Sequence, residues 1–238
     1  MAKVKKEKVS NNKAEKKENT VFPIILGVLF VAVLAGVIIF LSIYSEKNKK
    51  APVVATKVTE GDGEIVDYEK NGMVKLADYS KLEIEKEKDD TDEDLKNSNW
   101  DAYLEKCTVN DYPDGFLEEA ISDTQKQYEG FAEVSGMTYE ELLESYGMDE
   151  NTVNEVAADT VNARMIAKTI ASKENLKLTD KMKEDYLMAL MSYEEKERAP
   201  LDDLVKDYIE GYSGRATDDC IVEMVKDWLF KNKTTVKG

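Results

Sequence analysis

Histidine is absent from the 238 residues, and only two cysteines occur, Cys107 and Cys220. Without histidine there can be no Ser-His or Cys-His triad, and zinc or haem would lack a principal ligand. Two widely spaced cysteines make no disulfide framework. Each sits beside apolar helical positions and reads as a small buried hydrophobe; a single bridge between them is the alternative. Positive charge is also scarce, with 33 Lys+Arg against 49 Asp+Glu, and it is unevenly placed. Residues 1–20 hold seven lysines and three glutamates, so the rest of the chain carries 26 positive groups against 46 negative ones. Such a surface repels phosphate backbones, and nucleic acid is not expected as a partner. Paired acids such as Glu118/Glu119 or Asp202/Asp203 do not suit glycosidase chemistry, because neighbours on a helix do not face one another. No catalytic residue, metal or cofactor is expected.

What the chain does have is a long apolar run, "VFPIILGVLFVAVLAGVIIFLSIY" (21–44), without a charge in 24 residues. As a helix it would measure roughly 36 Å, enough to cross a bilayer core with some tilt. A signal-peptide core is shorter and ends in a small-x-small site, which "LSIYSEKNKK" does not offer. No cysteine near the run provides a lipoprotein anchor. An uncleaved single-pass anchor is therefore expected, with cleavage as the rival. The lysine bias places the basic tail 1–20 in the cytoplasm and the C-terminal region outside it, although "EKNKK" beyond the run weakens that bias.

Polar residues 45–63 read as a linker. Residues 64–106 read as a small β-segment and connector. Asn71-Gly72 between partly alternating runs is a two-residue hairpin signal, Leu82–Glu85 suggests a further short strand, and the charged stretch 87–99 reads as a solvated connector or first helical turn. Residues 107–238 read as helical. Pro113 suits a first helical position, and Leu117, Ile121, Thr124, Tyr128 and Phe131 recur at helical spacing up to Gly136. Thr138 with Glu141 is a capping box for a short helix that Gly147 stops. Asp149 caps a helix to about Glu174, and Thr179 caps another to about Glu197. Pro200 opens a short one, and a last helix spans about 216–231. The fold class is mainly α, with a single N-terminal transmembrane helix, a small β-hairpin segment and an elongated multi-helix domain.

Two stretches resemble trigger factor, the bacterial folding chaperone. "NGMVKLADYSKLEIEK" (71–86) is similar to the end of that family's N-terminal domain, with Ala77 where the family has glycine. "YPDGFLEEAISDTQKQYEGFAEVSGMTYEELLESYGMDENTVNEVAADTVNARMIAKTIASKENLKLTD" (112–180) resembles its C-terminal pattern of long helix, GMT hinge, second GM turn and "AKTIASKENLKLTD" tail. "GRATDDCIVEMVKDWLFKN" (214–232) is similar to its last helix. The resemblance implies a chaperone body whose two long helices and hinge helix form an arm. It implies a holdase with unfolded polypeptides as partners, at the bilayer if 21–44 is an anchor. No GFRxGxxP-type ribosome-docking loop is present, and the interval 86–112 is too short for the family's FKBP-type prolyl isomerase domain, so neither ribosome docking nor isomerase activity is expected. The rivals are a tethered scaffold for one folded partner and, further off, an active isomerase.

A holdase needs shallow, adaptable apolar surface, for which methionine and aromatic side chains are suited. The candidates for client contact are Tyr128, Phe131, Leu143 and Tyr146 near the arm tip, and Met182, Tyr186, Met188, Met191 and Tyr193 in "KMKEDYLMALMSYEEK". Met188 and Met191 cannot share one narrow stripe with Leu187 and Leu190, so this helix is expected to be exposed in part or widely buried.

Overall fold

A computed structural model describes residues 60–237, all within one unit of the chain. The basic tail and the apolar run 21–44 lie outside the described residues. Among those described, no helix is long and apolar enough to cross a membrane.

Helix α1, Asp92–Leu104, occupies much of the stretch 87–99 that reads as a solvated connector or first helical turn, and the second alternative holds. Its acids are a helix start rather than a solvated loop. Thr91 and Asp94 form a reciprocal capping box, and Asp92, Glu93 and Asp94 sit where the helix dipole favours negative charge. Leu95, Trp100 and Tyr103 bury the inner face. Helix α2, Phe116–Ser135, begins later than Pro113; Gly115 at φ +82° precedes it, and the Pro113 carbonyl accepts the Phe116 N–H in a turn. Gly136, in the left-handed region, ends it. Helix α3, Tyr139–Ser145, has the expected Thr138/Glu141 box, with N–H···O distances of 3.2 and 2.8 Å. Helix α4, Glu150–Glu174, starts at Asp149, and α2 packs along it as an antiparallel partner. We call α2–α3–α4 the arm.

Helix α5, Asp180–Leu190, stops well short of Glu197, because Ser192 takes φ +55° and Tyr193 N–H returns to the Met188 carbonyl. A 3-10 turn, Glu195–Glu197, follows. Helix α6, Leu201–Gly211, opens after Pro200, and α7, Ala216–Lys233, closes the helical set. Helix α7 is the central element, packing on α4, α5 and α1.

The strands overturn the hairpin expected at Asn71-Gly72. β1, Val74–Lys75, pairs antiparallel with β3, Thr108–Val109. β2, Leu82–Glu85, pairs in parallel with β4, Thr234–Lys237, at the far end of the chain. Gly72 does turn at φ +77°. The flank before it cannot serve as a partner strand, because Tyr68 is fully buried with its N–H on Thr169 Oγ1 of α4. Glu60, at the end of the stretch 45–63 that reads as a linker, is buried.

Among the described residues, two apolar clusters hold the body of the domain. The larger joins α1, the root of the arm and α7, with Trp100, Tyr103, Phe116, Met165, Ile170 and Leu229 among its members. The smaller joins α5, α6 and the start of α7 through Leu187, Met188, Met191, Leu204, Tyr208 and Cys220. Cys107 and Cys220 are free, buried and divided between the two, so the bridge is not made and the hydrophobe reading holds. Burial raises both thiol pKa values, that of Cys220 to about 12.

Candidate functional surface

The nine client-contact candidates divide into two separate groups. Tyr128 and Leu143 are buried inside the arm, at 3% and 6% exposure. The buried face of α2 is Phe116, Ala120, Thr124, Tyr128 and Ala132, so it shares Thr124 and Tyr128 with the face marked by the spacing, whereas Leu117, Ile121 and Phe131 are half-buried. Phe131 and Tyr146 sit half-buried on the arm's flank, their ring centroids 6.5 Å apart. On α5, Met188 and Met191 are buried in the smaller cluster, so the helix is widely buried rather than open. Met182, Tyr186 and Tyr193 are half-buried at the cluster edges, and Tyr186 donates its hydroxyl to Asp227 Oδ2 at 3.2 Å. Tyr128, Leu143, Met188 and Met191 therefore offer no surface in the folded chain. The reason is common to all four: each fills the space between two helices.

Exposed apolar side chains lie elsewhere. Val134 is 75% exposed, Ile209 47%, Met137 43% and Tyr212 37%. Ile65 and Val236, at 37% and 42%, lie apart near β1 and in β4, whereas these four belong to α2, α6 and their ends. Gln127 Nε2 donates to the Tyr212 carbonyl at 2.7 Å, which brings the end of α6 against the flank of α2. Gln127, Phe131 and Val134 then follow at i, i+4 and i+7, one side of a helix over about 10 Å. Met137 comes just beyond the Gly136 cap, and Tyr146 packs on Phe131. The flank is thus a broken apolar stripe, from Ile209 and Tyr212 out to Val134 and Met137. Sequence reasoning missed these four because it followed the core periodicity. The available signal was the opposite one: Val134 and Ile209 are large apolar residues off the buried stripe, each beside one glutamate, Glu133 and Glu210.

Charge around this flank has one sign. Between Lys126 and Arg164 the chain carries no Lys or Arg and nine Asp/Glu. Asp159 on α4, half-buried and without a cation partner among the described ion pairs, has its carboxyl pKa raised to about 6, first by burial, with Glu155 adding to it.

The root of the arm is built differently. Arg164 grips Asp219 of α7 with Nε and Nη2 at 2.7 and 2.9 Å, and Nη2 also reaches Ser213 Oγ. Tyr208 donates its hydroxyl to the same carboxylate at 3.0 Å. Arg215 joins Glu119 of α2 and lies over the Phe116 ring at 3.9 Å. These groups fix how α2, α4, α6 and α7 meet, and leave the stripe as the adaptable part. Among the described residues there is no group of His, Cys, Asp and Glu able to hold a metal ion.

The family model for the bacterial trigger factor protein (TF) C-terminus matches residues 75–230. No curated protein and no solved structure matches the chain. The matched part is the chaperone C-terminal domain of that family rather than a catalytic one, in keeping with a mainly helical fold whose long helices pair through a hinge helix. The match spans most of the chain and covers both limbs of the arm, so the chain belongs to the trigger factor family.

Proposed function

We propose that the chain is a membrane-tethered holdase that binds unfolded or translocating polypeptides and works without catalysis. The observation that carries the reading is the apolar stripe on the flank of the arm, on a domain of a chaperone family. The stripe suits weak, multi-site contact, because its members are discontinuous and set among acids that keep the surface soluble. Client contact is assigned first to Val134, Met137, Ile209 and Tyr212, with Phe131 and Tyr146 as partly covered supports. Tethering is assigned to residues 21–44, whose charge-free length suits a bilayer span, with the basic tail cytoplasmic and the helical domain outside. The interval between β2 and α2 supports activity without proline isomerisation, since α1 and β3 occupy it.

The test is aggregation of a chemically denatured client, followed by light scattering, with the full-length chain in lipid nanodiscs. Delay at stoichiometric amounts is expected, and no delay would sink the reading. Protease added to intact cells should degrade the helical domain while sparing the tail. Clear acceleration of a proline-limited refolding reaction would overturn the non-catalytic assignment. The scaffold reading keeps one observation in its favour: most large apolar side chains are buried. A single tight partner in pull-downs, together with no effect on aggregation, would establish it instead.

A further inference from the structure

The chain in front of β1, which precedes the family match, is fastened to Lys168, Thr217 and Asp218 inside it. The Glu60 side chain is fully enclosed in the seam between α4 and α7. One of its carboxylate oxygens takes the Lys168 ammonium, and the other accepts the Tyr68 hydroxyl. Lys168 is itself without exposure and reaches on to Asp218 Oδ1 at 2.7 Å. That same Asp218 oxygen accepts the Gly63 N–H at 2.7 Å. Asp62 closes the first turn of α7, accepting the N–H groups of Thr217 and Asp218 at 3.1 and 2.9 Å. The approach is close. Gly63 has φ +82°, and a Cβ there would stand 2.5 Å from Thr217 Cγ2, so glycine alone fits.

Buried ion pairs are a poor way to gain stability, since apolar replacements do as well, but they fix one geometry. The geometry fixed here joins a limb of the arm to the central helix through four residues where the preceding chain enters the domain. The remaining α4–α7 contact does not depend on them, because Ile170, Ala171, Ile221 and Val225 share the larger cluster and Arg164 holds Asp219. The four residues can therefore leave while the helices stay folded.

We propose that residues 60–63 are a latch, an intramolecular ligand gripped by Lys168 and Asp218, whose release loosens α4 from α7 at the root of the arm. The inference stands on contacts within residues 60–237 and does not depend on the holdase reading.

Segment-resolved hydrogen exchange on the full-length chain in detergent micelles tests it. Glu60→Gln leaves Lys168 one counter-charge short and should speed exchange in 60–69 and in the first turn of α7 by roughly 100-fold. The α3 amides should keep their wild-type rates. Glu60→Asp keeps the charge on a shorter stem and should fall between; if Glu60→Gln does not fold, this variant decides the matter by the same segments. The pair Glu60→Gln with Lys168→Met should recover part of the protection, as no orphan ammonium remains and Asp218 keeps the Arg215 guanidinium, with Nη1 at 3.3 Å. Wild-type rates in 60–69 for Glu60→Gln, uniform acceleration that includes α1 and α3, or a double variant no better than the sum of its singles would each overturn the latch. Spin labels at positions 144 and 231 should show a broader distance distribution in Glu60→Gln, and an unchanged width would overturn its coupling to the arm.

Discussion

At the root of the arm, Arg164 and Lys168 of α4 meet acids of α7 in a seam where both cations are buried. Toward the tip the same helix runs through Glu155, Asp159 and Asn162 with no cation at all, and its contacts are apolar or capping ones. A buried guanidinium accepts few arrangements, because any shift leaves charge unpaired in a poorly solvated place. Apolar contact is non-directional, and neighbouring packings cost little. One helical hairpin thus combines an end that specifies an orientation with an end that can yield to variable partners.

The largest expected effect separates these ends directly. Arg164→Met strands Asp219 beside the Tyr208 hydroxyl and should cost about 3–5 kcal/mol in urea unfolding. Replacing Arg164 and Asp219 together by apolar residues should return most of that. Glu140→Gln, an exposed charge near the tip, should change stability by less than about 0.5 kcal/mol. Equal costs at the two positions would erase the distinction.

Leu142, 1% exposed, is the apolar counterpart on α3. Leu142→Ala should cost about 2–4 kcal/mol through the cavity it opens. The loss should be local, with hydrogen exchange across 137–149 rising toward the unprotected limit while α7 keeps its protection. Loss of protection in both places at once would mean that root and tip fold as one cooperative unit.

Asp159 sharpens the comparison through pH. Its folded pKa of about 6 lies above the ordinary carboxyl value, so the folded chain keeps a proton that the unfolded chain gives up. As pH rises from about 4 through 6, this group makes folding less favourable, and the penalty is complete at pH 7. Asp159→Asn should therefore stabilise the protein by about 2–3 kcal/mol at pH 7 and leave it unchanged near pH 3.5. A stabilisation independent of pH would assign the effect to something other than ionisation.

The features read correctly from the sequence are those whose physics is local. Thr138 with Glu141, Asp149, Thr179, Gly136 and Gly147 mark helix ends because each cap joins residues three or four apart. The strand partners were not legible. Asn71-Gly72 has the chemistry of a hairpin turn, yet β2 finds β4 across the whole domain, a parallel pairing that no local pattern encodes. Lys168 was equally hidden. In "AKTIASK" it looks like any surface lysine, and its burial follows from Glu60 and Asp218, 108 residues before it and on another helix. The burial of four of the nine client-contact candidates has a related reason. Apolar spacing on α2 and α5 identifies what a helix buries, so the candidates chosen by it, Tyr128, Leu143, Met188 and Met191, fell inside.

The smallest expected effect on stability belongs to that exposed flank, to which the proposal assigns client contact. Val134→Asp with Met137→Asp removes two exposed apolar side chains and fills no cavity, so unfolding should shift by no more than about 0.5 kcal/mol. If clients lie on this flank, losing two apolar contacts should weaken capture roughly tenfold in aggregation assays, since burying even one such side chain is worth more than the free energy of a tenfold change. Met188→Ala supplies the opposite pattern: stability should fall by about 2–5 kcal/mol, because a buried side chain is truncated, while capture per folded molecule should stay near wild type. An arm in which Met188→Ala impaired capture and the Val134/Met137 pair did not would place the client on the smaller cluster, reached by its opening, and would reverse the division of labour between the two ends.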